Sequence, residues 1–328
     1  MSENILSVKD LSIQYVTRDT GTCYAVNDVS FDIKKGETLG LIGETGAGKT
    51  TIALGILRLL PKPQGRMVDG IIEFEEKILN DVSDKEMSKI RGRKISMIFQ
   101  DPMTALNPID TVGYQIEEVI RLHNKISRKE ATIRAAQMLE MVGIPAERYS
   151  QYPHEFSGGM KQRVVIAMAL SCSPDLLIAD EPTTALDVTI QAQVLDMINK
   201  LKNDLGTSML LITHDLGIVA EMCEKVAILY AGEIVEMGTA KHIFKDARHP
   251  YTKGLFASLP STTSNSKRLK PIPGLMPDPS IIYEGCKFSP RCECSSEACK
   301  TTPSKLQQIS LDGHMVRCHL MDLEKGEK

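Results

Sequence analysis

The octapeptide Gly43-Glu44-Thr45-Gly46-Ala47-Gly48-Lys49-Thr50 constrains this chain more than any other feature. It fits G-x-x-x-x-G-K-[ST], a phosphate-binding loop, and its flanks agree with that reading. The apolar run 39–42 before it reads as a strand, and Thr51 begins a helix-compatible run over 51–60. The chemistry is anion binding. Glycines let backbone N–H groups point inward around a β-phosphate, and the helix N-terminus adds partial positive charge. Lys49 is expected to reach the β/γ oxygens of a nucleotide, and Thr50 to ligate Mg²⁺. A chance glycine turn before a helix is the alternative, but strand, loop, Lys and Thr are all in register.

A second site decides what is done with the nucleotide. Asp180-Glu181 follows the apolar run 176–179, so two carboxylates emerge where a strand ends. Strand ends of open parallel sheets are where ligands bind. Asp180 is placed for the Mg²⁺ shell, and Glu181 to polarise an attacking water. Phosphoryl transfer needs a metal, fixed phosphates and an oriented nucleophile, and the two sites supply all three. Taken alone, the acidic pair could equally cap the next element. Ser157-Gly158-Gly159-Met160-Lys161-Gln162 opens another helix and offers a second anion-binding end. By itself that stretch reads more simply as a Ser-capped helix.

The rest of the chain fits an α/β core. Leu11, Ile13 and Tyr15 alternate with polar Ser12 and Gln14, and Val29, Phe31 and Ile33 repeat the pattern, as half-buried and antiparallel strands do. The runs 39–42, 95–99, 176–179 and 209–212 are short and mostly continuously apolar, as central parallel strands are. Between Gln100 and Ser157 the texture turns helical. Ser127 and Glu130 make a capping box, Ile133, Ala136, Leu139 and Val142 recur at helical spacing, and Gly143 offers a stop. After Tyr251 a Ser/Pro-rich stretch, from Ser258 to Pro279, reads as a linker or extended arm.

Composition excludes several classes. In 328 residues, Lys+Arg is 39 and Asp+Glu is 42, a net charge of −3. That argues against binding nucleic acid through bulk positive charge. No apolar run approaches the roughly 18 residues a spanning helix needs. The N-terminus lacks the basic start and apolar stretch of a signal peptide, which points to the cytoplasm. Five of eight cysteines, Cys286, Cys292, Cys294, Cys299 and Cys318, crowd the end of the chain. Cytosolic proteins rarely keep disulfides, so such a cluster argues for metal. The spacing C-x₅-C-x-C-x₄-C-x₁₈-C lacks the C-x₂-C pairs of zinc ribbons, and His314 and His319 are near enough in sequence to compete as ligands.

The order of phosphate loop, Gln100, Ser157-Gly158-Gly159, Asp180-Glu181, Ala185-Leu186-Asp187 and His214 resembles the ATPase subunits of ABC transporters over about residues 4–250. The resemblance implies a P-loop NTPase (RecA-like) core with an antiparallel β subdomain and an inserted α-helical subdomain at about 101–170. These make a nucleotide-binding domain over 1–250, and 251–328 is a small Cys-rich C-terminal extension. It further implies that Tyr15 stacks on adenine and that Gln100 senses Mg²⁺ and the membrane partner. By the same resemblance Ser157, Gly158 and Gly159 would bind the γ-phosphate of ATP held by the opposite subunit, Asp187 would link the two sites and His214 would contact the γ-phosphate. Phe156 and Met160 depart from the commonest signature, which has Leu and Gln there.

Asn107-Pro108, Pro153-His154-Glu155, the stretch 190–194 and His249-Pro250-Tyr251-Thr252 resemble the dipeptide/oligopeptide importer branch, which also serves nickel and some sugars. VIAMAL (165–170) and THDLGIVAE (213–221) are more similar to the first of its two paralogous ATPases. The implied partners are a second ATPase subunit (heterodimer, or homodimer in isolation), two membrane permeases and an extracytoplasmic peptide-binding protein. The implied place is the cytoplasmic face of the membrane. The importer tail resembles the motif containing Cys286, Cys292, Cys299 and Cys318, a set associated with a [4Fe–4S] cluster; zinc and unmetallated thiols remain alternatives, and Cys294 is extra to the pattern. The runner-up function is a soluble ABC ATPase not coupled to transport.

Overall fold

Alternation at the N-terminus buries Leu11, Ile13, Val29, Phe31 and Ile33, as period-two strands with one covered face require. They lie on β1 (Asn4–Thr17) and β2 (Gly21–Lys34). The computed structural model describes residues 3–17, 21–183, 187–258 and 271–321. Those residues form two units that interleave along the chain, one drawn from Met1–Ser7, Asp32–Thr38 and Glu73–Thr213, the other from Val8–Phe31, Leu39–Ile72 and His214–Lys328.

In the second unit the fully buried strand β3 (Thr38–Ile42) runs into the phosphate loop and then α1 (Lys49–Ile56). Strand β4 (Gly65–Phe74) follows, and its last two residues, already in the first unit, pair antiparallel with β5 (Lys77–Ile78). In the first unit come α2 (Asp84–Ile90) and β6 (Ile95–Ile98). The expected strand over 95–99 stops one residue early, and Phe99 is exposed. Then come α3 (Pro102–Ala105), α4 (Val112–His123), α5 (Arg128–Met141) and α6 (Gly158–Leu170), the helical insertion expected from the texture of that stretch. Next are β7 (Leu176–Asp180), α7 (Val188–Leu205) and β8 (Ser208–Thr213). Strand β7 lies between β6 and β8 and is parallel to both. Continuous burial along β7 and β8 explains their uninterrupted apolar sequence.

Within the insertion, Glu117 of α4 is buried and is satisfied by the Tyr149 hydroxyl, by Thr132 at 2.9 Å, and by Arg121 and Arg128 at 3.4 Å. A side chain at Gly113 would meet the Tyr149 ring at 2.1 Å, so α4 can pack there only through glycine. Two details differ from expectation. Ser127 accepts from the Glu130 N–H as predicted, while the reciprocal half of the capping box does not form. The buried face of α5 is Ala131, Ala135, Met138 and Leu139, with Ile133 outward. Of the 133–136–139–142 stripe, Leu139 and Val142 are buried as expected, while Ile133 faces out because the small Ala131 and Ala135 line the packed side at the start of the helix.

The second unit continues with α8 (Leu216–Met222), β9 (Lys225–Tyr230), β10 (Glu233–Thr239), α9 (Ala240–Lys245) and α10 (Pro250–Ala257). Strand β3 is parallel to β9, and β10 returns antiparallel along it. Beyond 271 lie α11 (Glu297–Thr301), β11 (Gln307–Gln308) and β12 (Met315–Val316). Strand β12 adds to β10, with Glu236 opposite Val316. Helix α10 ends at Ala257, before the Ser/Pro-rich stretch; of that stretch 259–270 fall outside the described residues and 271–279 carry no helix or strand, and farther on the chain docks through β12.

A single acid pins that docking. Glu236 is fully buried and accepts from the Arg248 N–H at 2.8 Å, the His249 N–H at 2.9 Å and His314 Nε2 at 2.8 Å. Burial pushes its carboxyl up, but His314 and the two backbone donors outweigh burial and leave it below the ordinary carboxylate value. Glu236→Leu strands these donors and is expected to destabilise the protein by about 3–5 kcal/mol. Urea unfolding measures this, and a loss under about 1 kcal/mol would contradict the assignment.

Candidate active site

The phosphate loop owes its shape to backbone contacts that leave no room for side chains. A Cβ at Gly43 would lie 2.2 Å from the Leu229 carbonyl oxygen. Gly48 sits at φ 104°, and a Cβ there would lie 2.5 Å from the Ala25 carbonyl oxygen. Gly48 also caps α1 and supplies no side-chain acceptor to the first turn. A helix N-terminus that opens on glycine in this way is suited to an anion. Lys49 is 6% exposed and donates to the carbonyls of Gly43 at 2.8 Å and Glu44 at 3.1 Å, which wraps the loop around its ammonium. Thr45, Gly46 and Thr50 are exposed and Ala47 is buried, with its N–H donating to the Glu44 carbonyl at 3.1 Å. Tyr15 is half-buried at the end of β1, and its hydroxyl lies 3.4 Å from Thr51 Oγ1. His214 is exposed and immediately precedes Asp215, the cap of α8.

The first unit carries the carboxylates. Asp180 ends β7 and is 1% exposed. Glu181 turns the chain through φ +47°, a left-handed conformation uncommon for a non-glycine residue, with its N–H on the Ile212 carbonyl at 2.8 Å. Its Oε2 accepts from Gln100 Nε2 at 3.0 Å, so the structure brings together two residues 81 positions apart in sequence. Ser157 caps α6, its Oγ accepting from the Met160 N–H at 3.4 Å, and Ser157 and Gly158 are exposed beside half-buried Gly159. The two departures in that signature share a partner. Arg148 stacks 4.3 Å above the ring of buried Phe156 and donates to the Met160 sulfur at 3.2 Å. Asp187 is exposed at the N-cap of α7, where its side chain makes no cap hydrogen bond, and Ala185 and Leu186 lie outside the described residues.

Two residues with no part in the nucleotide site as read from the sequence also reach the phosphate loop. The Glu44 N–H donates to the Tyr251 hydroxyl at 3.2 Å, and the Glu44 carboxylate pairs with Arg291 at 3.1 Å. His249-Pro250-Tyr251 had stood out in the sequence only as a branch marker. Arg291 had carried no signal beyond its place before Cys292.

The five late cysteines converge. Cys286, Cys292, Cys294, Cys299 and Cys318 line one pocket with His249, Phe288 and His319. None is in a disulfide, and Cys299 and Cys318 are buried. Among the described residues, no group of three or more His, Cys, Asp or Glu side chains is arranged to hold a metal ion. His314, expected as a rival ligand, does not line the pocket, because Glu236 holds its ring nitrogen at 2.8 Å. His319 does line it, with Nε2 on the Thr302 carbonyl at 2.9 Å. Thiolates are the donors that soft metals prefer, but the described thiols are not arranged as a metal site.

Comparison with known proteins places these features. The ABC transporter family profile matches residues 26–184, and the profile for the oligopeptide/dipeptide transporter C-terminal region matches 235–299. The chain is 50% identical over 323 residues to the dipeptide transport ATP-binding protein DppD of Bacillus subtilis (strain 168), covering 98% of this chain and 96% of that protein. It is 49% identical to the oligopeptide transport ATP-binding protein OppD of the same organism, covering 97% and 89%. Among solved structures, the dimeric ATP-binding cassette MJ0796 bound to ADP and Pi superposes with a TM-score of 0.64 at 28% identity, over 72% of this chain and 98% of that one.

Burial pushes the thiols of Cys286, Cys292 and Cys318 up to about 11. In metal-free protein these thiols stay protonated through the ordinary thiol range, so their contribution is fully present below 9.0, falls as pH rises from 9.0, where the unfolded chain begins to ionise, and is lost by about 11. Thiolate absorbance against pH checks this. Ionisation of all three below the ordinary thiol value of 9.0 would contradict the burial seen here.

Proposed function

The chain belongs to the ABC transporter ATPase family, and from that premise we propose that it is the ATP-hydrolysing subunit of an importer that takes up di- and oligopeptides. Its fold is the α/β P-loop cassette of that family, and its reaction is ATP hydrolysis. The peptide assignment is supported by near full-length similarity to dipeptide and oligopeptide transport ATP-binding proteins.

In the proposed mechanism Lys49 and the backbone N–H groups of 43–50, together with the start of α1 at Thr50 and Thr51, hold the β- and γ-phosphates, while Tyr15 packs on adenine. Thr50, Asp180 and Gln100 serve Mg²⁺, which would neutralise phosphate charge when bound. Glu181 accepts the proton of the attacking water and His214 contacts the γ-phosphate. Ser157, Gly158 and Gly159 of a second ATPase subunit, like or unlike this one, close over the same nucleotide, with Asp187 beside the junction. Once the γ-phosphate is cleaved, those contacts lose their common ligand and the subunits separate. The observation that carries the coupling is the 3.0 Å hydrogen bond from Gln100 to Glu181, because it ties the hydrolytic carboxylate to the residue that opens the helical insertion. Opening there is relayed to two permease subunits fed by an extracytoplasmic peptide-binding protein. No helix among the described residues is long and apolar enough to cross a membrane, in keeping with a subunit held on the cytoplasmic face by those permeases. Nucleic acid has no part in this function.

We divide the chain into a nucleotide-binding domain over 1–250 and an extension over 251–328. Cys286, Cys292, Cys299 and Cys318 would hold a [4Fe–4S] cluster in that extension, with zinc the alternative, and the group would act as a structural staple. Support comes from the convergence of the thiols on one pocket. Anaerobically purified protein is expected to contain iron and sulfide, or zinc; protein with neither would rule the staple out.

Glu181→Gln is expected to lower ATP turnover by at least about 10²-fold while retaining ATP in a stable dimer. Steady-state phosphate release and gel filtration with ATP check both, and normal turnover would remove Glu181 from its role. Lys49→Ala is expected to lose tight nucleotide binding, because several charge-assisted hydrogen bonds go with the ammonium. An unchanged dissociation constant would contradict the cradle.

A further inference from the structure

The loop Gly43-Glu44-Thr45-Gly46-Ala47-Gly48-Lys49-Thr50 contains one acid, Glu44, in a segment built to receive a polyphosphate. An uncompensated carboxylate there repels the ligand. The structure places Arg291 against it, with one guanidinium nitrogen 3.1 and 3.2 Å from the two carboxylate oxygens. Arg291 is only 8% exposed, and its guanidinium has several further acceptors. Its Nε donates to the Pro273 carbonyl at 2.8 Å, one terminal nitrogen to the Ile272 carbonyl at 3.4 Å, and the other to the Tyr230 hydroxyl at 3.3 Å. Gly274 leaves room for its stem, since a Cβ there would lie 3.3 Å from Arg291 Cγ. Burial works against the charge of Arg291, but Tyr230 and Glu44 outweigh it and keep the group charged. The other polar groups of Glu44 are also engaged, its N–H by Tyr251 and its carbonyl by Lys49. A planar fork held by so many acceptors cannot turn away from Glu44 without breaking several bonds at once.

We propose that Arg291 is a positioning residue for nucleotide binding: it neutralises Glu44 and holds the carboxylate on the side of the C-terminal extension, so that the extension sets the affinity of the phosphate loop. The inference rests on the ATP-binding reading above. Arg291 lies in the turn Ser289–Arg291, which also contributes Ser289 to the cysteine pocket and is followed by Cys292, so loop and pocket share one short segment.

The test is ATP binding and steady-state kinetics on the full chain at low and high salt. Arg291→Gln leaves the Glu44 charge uncompensated and is expected to weaken ATP binding about tenfold, in KM more than in kcat, with the loss shrinking as salt rises. Adding Glu44→Gln removes the repelling charge and is expected to return the affinity to within about twofold of the parent. If Arg291 only staples the extension in place, the double variant binds no better than Arg291→Gln and salt makes no difference; that result overturns the proposal. Should Arg291→Gln fail to fold, Arg291→Lys carries the test. It keeps the charge and is expected to stay within about threefold of the parent, and a loss of tenfold or more that does not respond to salt overturns the proposal. Lys49→Ala separates the two levels. If it abolishes ATP binding while Arg291→Gln has no effect, only the role of Arg291 falls. If it leaves ATP binding intact, the nucleotide reading itself falls.

Discussion

The account depends on how closely backbone meets backbone at the two ends of the phosphate loop. At Gly43 and Gly48 the chain passes so near the carbonyls of Leu229 and Ala25 that no other residue fits. This packing does more than permit a tight turn. It fixes the N–H groups between the two glycines, so little is left to organise when an anion arrives. Lys49 completes the arrangement from inside, bonded to the carbonyls of the loop it belongs to. Binding energy is then available for the ligand instead of being consumed in ordering the site.

The same economy runs through the first unit. Asp180 is carried to the end of a fully buried strand, where continuous apolar sequence fixes its position. Glu181 follows in a strained left-handed conformation that the surrounding hydrogen bonds sustain. Its contact with Gln100 joins the chemistry to a helical insertion stabilised by its own buried acid, Glu117. Strain at Glu181 and rigidity in the element beside it are what the proposed coupling of hydrolysis to a partner requires.

Much of this was legible in the sequence, for definable reasons. Continuous apolar runs marked the parallel strands β3, β7 and β8, and alternation marked β1 and β2, because burial on two faces and on one leaves different patterns. The phosphate loop and the acidic pair carry their own chemistry in their spacing. What escaped prediction depends on contacts distant in sequence. The buried face of α5 begins with alanines, which carry too little hydrophobic signal to mark it. His314 looked like a ligand by proximity to cysteines, yet a buried carboxylate 78 positions away claims it. Arg291 reaches Glu44 across 247 positions, and Gln100 reaches Glu181 across 81. No local pattern encodes such pairs. The docking of the extension escaped for the same reason: its anchor, Glu236, is an acid in strand β10 whose partner His314 lies far along the chain.

The central claim is that one ATP is held by the Lys49 loop of one subunit and the Ser157 helix end of another. It is tested most directly by determining the ATP-bound structure of the Glu181→Gln protein, alone and with a partner ATPase. The account predicts a nucleotide whose γ-phosphate touches Lys49 of one chain and the serine-led helix end of the other. A nucleotide bound by the loop with that helix end turned away in every assembly would contradict it.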